Sequence, residues 1–352
     1  MITQPTLEAF CCSIFESIGF AEEDARLAAE IIVQCEMRGI TSHATRLIPA
    51  LVRHVQGGGV DPQAKPEIVD EGPAWSMIDA QGALGHLAAY QGVQIAMEKA
   101  RKCGVGLAGV RRGNHLGALG AYALMFARAG MIGLITNNTN PVMAVTGSCE
   151  KSSGNNPFAF GAPAGNEPPI VLDMACSTAA GSKVEIAGKK GEDIPTGWIM
   201  DSVGAATTDP LDYLERSGAL LPMSGHKGYG LAVMVEVLAG VLTGASLTSD
   251  IKDWAKQADQ VSDQGYNFIA VDVESFMPRN VYDQRIDGLI KRIRSSRKIQ
   301  GVDRIYLPGE IEHENEQQAH SQGMSLQDWH LESLKQLAIS LGLEQQFAAL
   351  EE

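Results

Sequence analysis

The sequence predicts an α/β protein with a helical section built from its two chain ends. Three observations predict it. Apolar residues recur every three or four positions over residues 5–56. Short apolar runs of strand character alternate with helical stretches between 75 and 273. Helical spacing then returns over 325–350. Residues 5–20 and 22–38 are read as helices, the second from Ala28, Ile31, Ile32 and Cys35. A third helix covers 46–56, and GGGVDP (57–62) ends it. After a short polar stretch, WSMIDAQGALG (75–85) reads as a strand and a turn, and 87–103 as a helix. Strands follow at 105–111, 131–138, 158–163, 169–175 and 267–273. Helices are expected at 117–129, 229–243 and, strongly charged, 281–298. Residues 325–350 form a helical tail. The expected division is a helical domain of 1–72 with 315–352 and an α/β domain of 73–314.

Composition narrows the function. A net charge of −14 argues against a nucleic-acid surface, which needs clustered Lys and Arg. The first twenty residues show no basic segment ahead of their apolar ones, so no signal peptide is expected. The longest apolar run, GLAVMVEVLAGVLTGA (230–245), is interrupted by Glu236 and is too short to span a bilayer. Cysteines at 11, 12, 35, 103, 149 and 176 form no C-x-x-C pair; reduced, buried thiols in a cytoplasmic protein are expected.

GVGLAG (104–109) matches the G-x-G-x-x-G dinucleotide fingerprint, but its context is wrong. It follows a helix instead of a strand, and no acidic residue occurs from 99 to 149. A glycine-rich strand is the better reading. The same acid-free stretch carries Arg101, Lys102, Arg111, Arg112 and Arg128, which could face an anion or merely border a buried core.

Five stretches carry possible chemistry. RGITSHATR (38–46) packs Ser42, His43 and Arg46 together. RRGNHLGALGAYA (111–123) sets Asn114 and His115 before a glycine-rich helix start. ITNNTNPVMAVTGSCEKSSGNNPFAFGAP (135–163) is rich in Asn, Gly and Pro. VLDMACSTAAGSK (171–183) ends a strand at Asp173, Ser177 and Thr178. LPMSGHKGYGLAVMVE (221–236) places Lys227 at a helix start. That last pattern suits an anion, because free helix N–H groups, a lysine and glycine access suit a phosphate. His43 and His115 are candidates for proton transfer near neutral pH. A serine hydrolase is disfavoured by the absence of G-x-S-x-G, and HEN (313–315) lacks a second histidine, so no metal is expected. KRIRSSRK (291–298) reads as a solvated helix face, with Asp287 as the i,i+4 partner of Lys291.

These motifs, in this order, resemble the malate/L-lactate dehydrogenase family of nicotinamide oxidoreductases. The likeness runs from about residue 5 to about 345, and takes in TTDP (207–210) and LPGE (307–310) as well. The resemblance implies a non-Rossmann nicotinamide-binding fold, with the cofactor (NAD or NADP) in the 73–314 domain. It also implies a homodimer with active sites near the subunit interface. His43 would protonate the carbonyl oxygen or imine nitrogen, oriented by Ser42, with His115 as rival acid/base. Asn140 would touch substrate. Asp173, Met174 and Ser177 would hold the cofactor, Lys227 would meet its phosphate, and Gly309 and Glu310 would close over it.

The chain departs from the family's S-H-G-x-x-R pattern. Here Ser42-His43-Ala44-Thr45-Arg46 brings the arginine one position early, which on a helix turns it by about 100°. Asn140 replaces the usual serine. A substrate carboxylate wants a bidentate guanidinium; Arg46 is the natural candidate, and Arg53 or His54 could take over. The expected activity is hydride transfer between NAD(P)H and a 2-oxo acid or related cyclic imine, with altered specificity. The alternative is a dinucleotide-binding regulatory protein that has lost catalysis.

Overall fold

The computed structural model describes residues 1–351. The chain opens with helices α1 (Gln4–Ser17) and α2 (Glu22–Met37). Thr3 caps α1 by accepting the Thr6 N–H. Two 3-10 turns, Thr41–His43 and Thr45–Leu47, lead into α3 (Ile48–Gly57), which stops at Gly58 with φ +93°. The chain's other end packs on these helices through α11 (Asp328–Leu341) and α12 (Glu344–Glu351). Phe10 and Phe347 meet edge to face at 5.8 Å, which joins the two ends in one apolar cluster.

A seven-stranded sheet forms the second layer. Its strands are β1 (Glu67–Glu71), β2 (Trp75–Asp79), β3 (Val105–Gly113), β4 (Met131–Asn137), β5 (Phe158–Ala162), β6 (Ile170–Met174) and, from further along the chain, β10 (Gln264–Asp272). The order is β1-β2-β3-β10-β4-β5-β6. Only β2 and β3 pair in parallel; the other neighbours are antiparallel. A doubly wound dinucleotide sheet would be parallel, so this is a different α/β architecture. Helices α4 (Gly85–Cys103) and α5 (Leu119–Arg128) cover the sheet, and Tyr122, Phe126, Tyr266 and Phe268 fill the space between. GVGLAG runs from the end of α4 up β3. Its glycines let the backbones close: a side chain at Gly106 would strike the Ala96 carbonyl.

The remaining elements form a smaller lobe and an outer rim. Helices α6 (Gly181–Lys190) and α7 (Pro210–Leu214) flank a small sheet of β7 (Ile199–Met200), β8 (Ala206–Thr207) and β9 (Ala219–Leu220). Helix α8 (His226–Val235) runs on as a π-helical turn, Glu236–Val241. Helices α9 (Arg279–Arg294) and α10 (Glu310–Gln322) complete the chain. Among the described residues no helix is long and apolar enough to cross a membrane. All six cysteines are free thiols.

Several expectations need correction. The tail expected as one helix breaks at Gly342, whose φ is +71°. Asp287 does not serve Lys291. It accepts the N–H groups of Gly165 and Asn166, while Arg294 of the supposedly solvated face pairs with Glu167 at 2.6 Å. Four of the basic residues of the acid-free stretch already meet carboxylates. Arg111 and Arg112 pair with Asp79, Arg128 with Glu316, and Lys102 with Glu98. Strand β1 and helices α6, α7 and α10 were not anticipated.

Candidate active site

The two 3-10 turns after α2 place Ser42 and His43 at the seam between the helical cluster and the sheet. The Ser42 hydroxyl and His43 Nδ1 are 2.8 Å apart. The His43 ring lies stacked on His115, centroids 5.7 Å apart and 12° from parallel. His115 in turn stacks on Trp254 at 4.5 Å, and Trp254 tilts toward His54 at 6.4 Å. Gly117 donates its N–H to His115 Nδ1 at 3.3 Å, so Nε2 carries the proton of the neutral ring. Asn114 is the bracket for this loop. Its side-chain amide reaches the carbonyls of Gly59, Gly82 and Ala83, and its Oδ1 accepts the Ser262 N–H at 2.9 Å. His86, 1% exposed, lies under the same loop against Gly117, with no partner for its Nδ1 among the described residues.

Arg46 joins this cluster. Its charge acts on His43, and its Nε is buried without a hydrogen-bond partner among the described residues. Arg53 is exposed on α3, one position before His54, which meets the Gln260 carbonyl at 2.9 Å. Asn140 is half-buried in the loop after β4. Its neighbours explain that loop's composition. Asn138 and Asn156 both donate to Glu236, which also accepts the Thr248 N–H. The charge that interrupts the apolar run of α8 is therefore the anchor of both asparagine motifs.

The β6 strand delivers the second group. Asp173 lines a cavity of about 160 Å³ together with Arg38, Ile40, Gly120 and Gly309. Ile40 immediately precedes the Ser-His turn. Asp173 accepts the Gly120 N–H at 2.7 Å in the first turn of α5. Water reaches its carboxylate through the cavity, yet surrounding protein crowds it and pushes its pKa up to about 6. Gly309 takes φ +88° over the Val171 backbone, where a side chain would collide. Glu310 points inward and ties down Leu307 N–H, Arg294 and Arg304. Met174 is half-buried at the strand's end. Ser177 is buried and donates to the Ala179 carbonyl at 2.8 Å.

Beyond Ser177 a second cavity of about 440 Å³ is lined by Thr146, Ser148, Thr178 and Gly225. Gly225 has φ +61° and starts α8 without a side-chain cap, and Lys227 stands exposed on the first turn. The Lys227 ammonium and the hydroxyls of Thr146, Ser148 and Thr178 suit the phosphates of a dinucleotide, while the N–H groups of Gly225 and Gly228 already donate to the carbonyls of Pro222 and Met223.

A sequence profile of the malate/L-lactate dehydrogenase family matches residues 2–335. The chain belongs to that family. It is 34% identical to malate dehydrogenase of Pyrococcus horikoshii, across 97% of this chain and 96% of the relative. It is 31% identical to the Δ1-pyrroline-2-carboxylate/Δ1-piperideine-2-carboxylate reductase of Pseudomonas putida, across 94% of this chain and 95% of the relative. The solved sulfolactate dehydrogenase of Methanocaldococcus jannaschii superposes with a TM-score of 0.91 at 32% identity, covering 100% of this chain and 99% of that one. The protein is a nicotinamide-dependent oxidoreductase.

In this family member the electrostatics of the imidazoles run one way. Burial, then the Arg46 charge, pushes His43 down to about 4. Burial and then His43 push His86 down to about 4, and His115 is held well below its ordinary value by burial, His43, His86 and His54. With these shifts the three rings are uncharged at neutral pH. Nothing in the loop's geometry points to lost catalysis: Ser42 and His43 are hydrogen-bonded and His115 lies on the ring. Sequence reading missed His86 and Trp254. Neither belongs to a motif, and Trp254 sits 139 positions beyond the His115 it covers, by the difference of their numbers.

Proposed function

We infer that this protein transfers a hydride between NAD(P)H and a 2-oxo acid, or a cyclic imine carrying the same carboxylate. The observation that carries this reading is the Ser42–His43–His115 row with Arg46 beside it. A bound reduced nicotinamide supplies the hydride. His43 gives a proton to the carbonyl oxygen or imine nitrogen, Ser42 holds the ring's orientation, and His115 shares the proton load from the stacked position. Arg46 takes the carboxylate, with Arg53 as the alternative anchor and Asn140 facing the substrate's far side. Asp173, Met174, Ser177 and Lys227 hold the cofactor, with Gly309 and Glu310 shaping the loop that covers it.

NAD and NADP both suit this reading. Free thiols suit a cytoplasmic setting, although only Cys11, Cys35 and Cys176 are buried and Cys103 is exposed. The apolar outer face of α8 suits a homodimer.

The test is loss of reduced-nicotinamide absorbance, with NADH and NADPH separately, across 2-oxo acids, 2-oxo amides and cyclic imino acids. Turnover of a carboxylate-bearing member is expected. Cofactor binding with no turnover across the panel would overturn the reading.

A further inference from the structure

The Ser-His turn is tied to the far end of the chain by a buried polar network that the reaction itself does not require. Glu36 ends α2 at 7% exposure, an unfavourable place for a carboxylate, both desolvated and near a helix C-terminus. Burial raises its pKa, and hydrogen bonds from Thr45 partly offset this. Thr45, fully buried, donates its hydroxyl to Glu36 Oε2 at 2.5 Å and its N–H to the same oxygen at 3.1 Å. With its one proton so placed, Thr45 Oγ1 must accept from His330 Nε2, 3.1 Å away. His330 comes from α11 and is 4% exposed. The other end of the loop is clamped the same way: Arg38 pairs with buried Glu316 of α10 at 2.6 Å, and Asn315 donates to the Arg38 carbonyl.

Thr45 stands between His43 and Arg46. A residue fixed on three sides at that point sets the direction of both neighbours. We propose that Thr45, Glu36 and His330 are positioning residues: they aim Arg46, shifted one position early in this chain, and His43 toward one substrate. The network thus determines specificity from outside the cavity. This rests on the reading of His43 and Arg46 given above.

The experiment compares Thr45→Val with Thr45→Ser. The first keeps the shape and removes the hydroxyl; the second keeps the hydroxyl. Steady-state kinetics use the best 2-oxo acid of the panel, and NADH or NADPH affinity is read by fluorescence. Thr45→Val is expected to lower kcat/KM at least about tenfold, with KM rising, while cofactor Kd stays within about twofold. Thr45→Ser is expected to restore kcat/KM to within about threefold of the parent. His330→Leu against His330→Gln, whose amide can still donate, gives the same contrast if Thr45→Val does not fold. Unchanged kcat/KM in Thr45→Val, or equal loss of cofactor and substrate affinity, would overturn the proposal. His43→Asn separates the two levels. If it keeps full activity, the site reading fails; if it is inactive while Thr45→Val is unaffected, only the mooring fails.

Discussion

The imidazole of His43 is stacked on that of His115, centroids 5.7 Å apart and the planes 12° from parallel. Each ring has its Nδ1 engaged, by Ser42 and by the Gly117 N–H, and each keeps Nε2 for a ligand. Two rings this close resist carrying two charges, and His43 is among the groups that hold the His115 pKa down. His43→Asn is expected to lower kcat at least about tenfold with little change in cofactor Kd. His115→Asn should do the same, and the double variant should be no worse than the poorer single one. Stopped-flow rates on all three decide this; losses that multiply would mean two independent roles.

Acid should destabilise the fold before it denatures the surface. Burial holds His43 and His86 down at about 4, against 6.5 for an ordinary imidazole. Between those values the unfolded chain binds protons that the folded chain refuses, so stability falls as pH falls through that window and is complete above it. Asp173 works against this. Its carboxyl, raised to about 6, takes up a proton in the fold first, which stabilises the fold as pH drops from about 6 towards 3.8. His115 is depressed as well, and Glu36 is raised like Asp173; the depressed histidines outnumber the raised acids, so the net expectation is a Tm that declines from pH 7 to 4.5. His86→Asn should flatten that decline, as measured by melts at several pH values; an unchanged slope would mean that His86 titrates alike in both states.

The sheet strands were legible because each buried strand is a short apolar run bounded by Gly, Pro or Asn, as with MIGLITNN. The helical cluster was legible for the same kind of reason, since α1 and α2 bury one stripe. Helix α10 was not. EIEHENEQQAHSQ has almost no apolar stripe, and buried Glu316 holds it through Arg38 and Arg128, a tertiary relation that periodicity does not register. The candidate site was legible where ordered motifs carried it. Trp254 and His86 reach the site through folding alone, and Asn114 was visible without its role as a bracket.

Arg46 and Arg53 make opposite demands of a substrate anchor. Arg46 acts on His43 and has a buried, unpartnered Nε; Arg53 is exposed on α3. A buried donor left without a partner gains about 1–3 kcal/mol from a carboxylate that satisfies it. Arg46→Ala is therefore expected to raise KM for a 2-oxo acid about tenfold or more, and Arg53→Ala by less than about twofold. The reverse order in steady-state KM would move the anchor to Arg53.

Lys227 stands on the uncapped first turn of α8, beside Gly225 at φ +61°. A diphosphate there would meet the ammonium. Lys227→Ala should weaken NADH or NADPH binding about tenfold while slowing the saturated enzyme much less. Fluorescence titration beside kcat at saturating cofactor separates these effects. A fall in kcat with unchanged Kd would place Lys227 at the chemistry.

The outer face of α8 and its π turn exposes Val233, Val237 and Val241 at successive four-residue steps, with Leu242 beside them. Val241 and Leu242 are more than half exposed, at 57% and 55%. A contiguous apolar ridge of this kind costs free energy in water unless another surface covers it. A second copy of the chain would cover it symmetrically. The same helix carries Lys227 at its start, so an interface here and the proposed cofactor site share one element. The protein is expected to sediment as a dimer, and Val237→Asp with Val241→Asp to yield a monomer with weakened cofactor binding. Sedimentation velocity and fluorescence titration on the same sample test both halves. A parent protein that is monomeric and fully active would remove the interface from the mechanism.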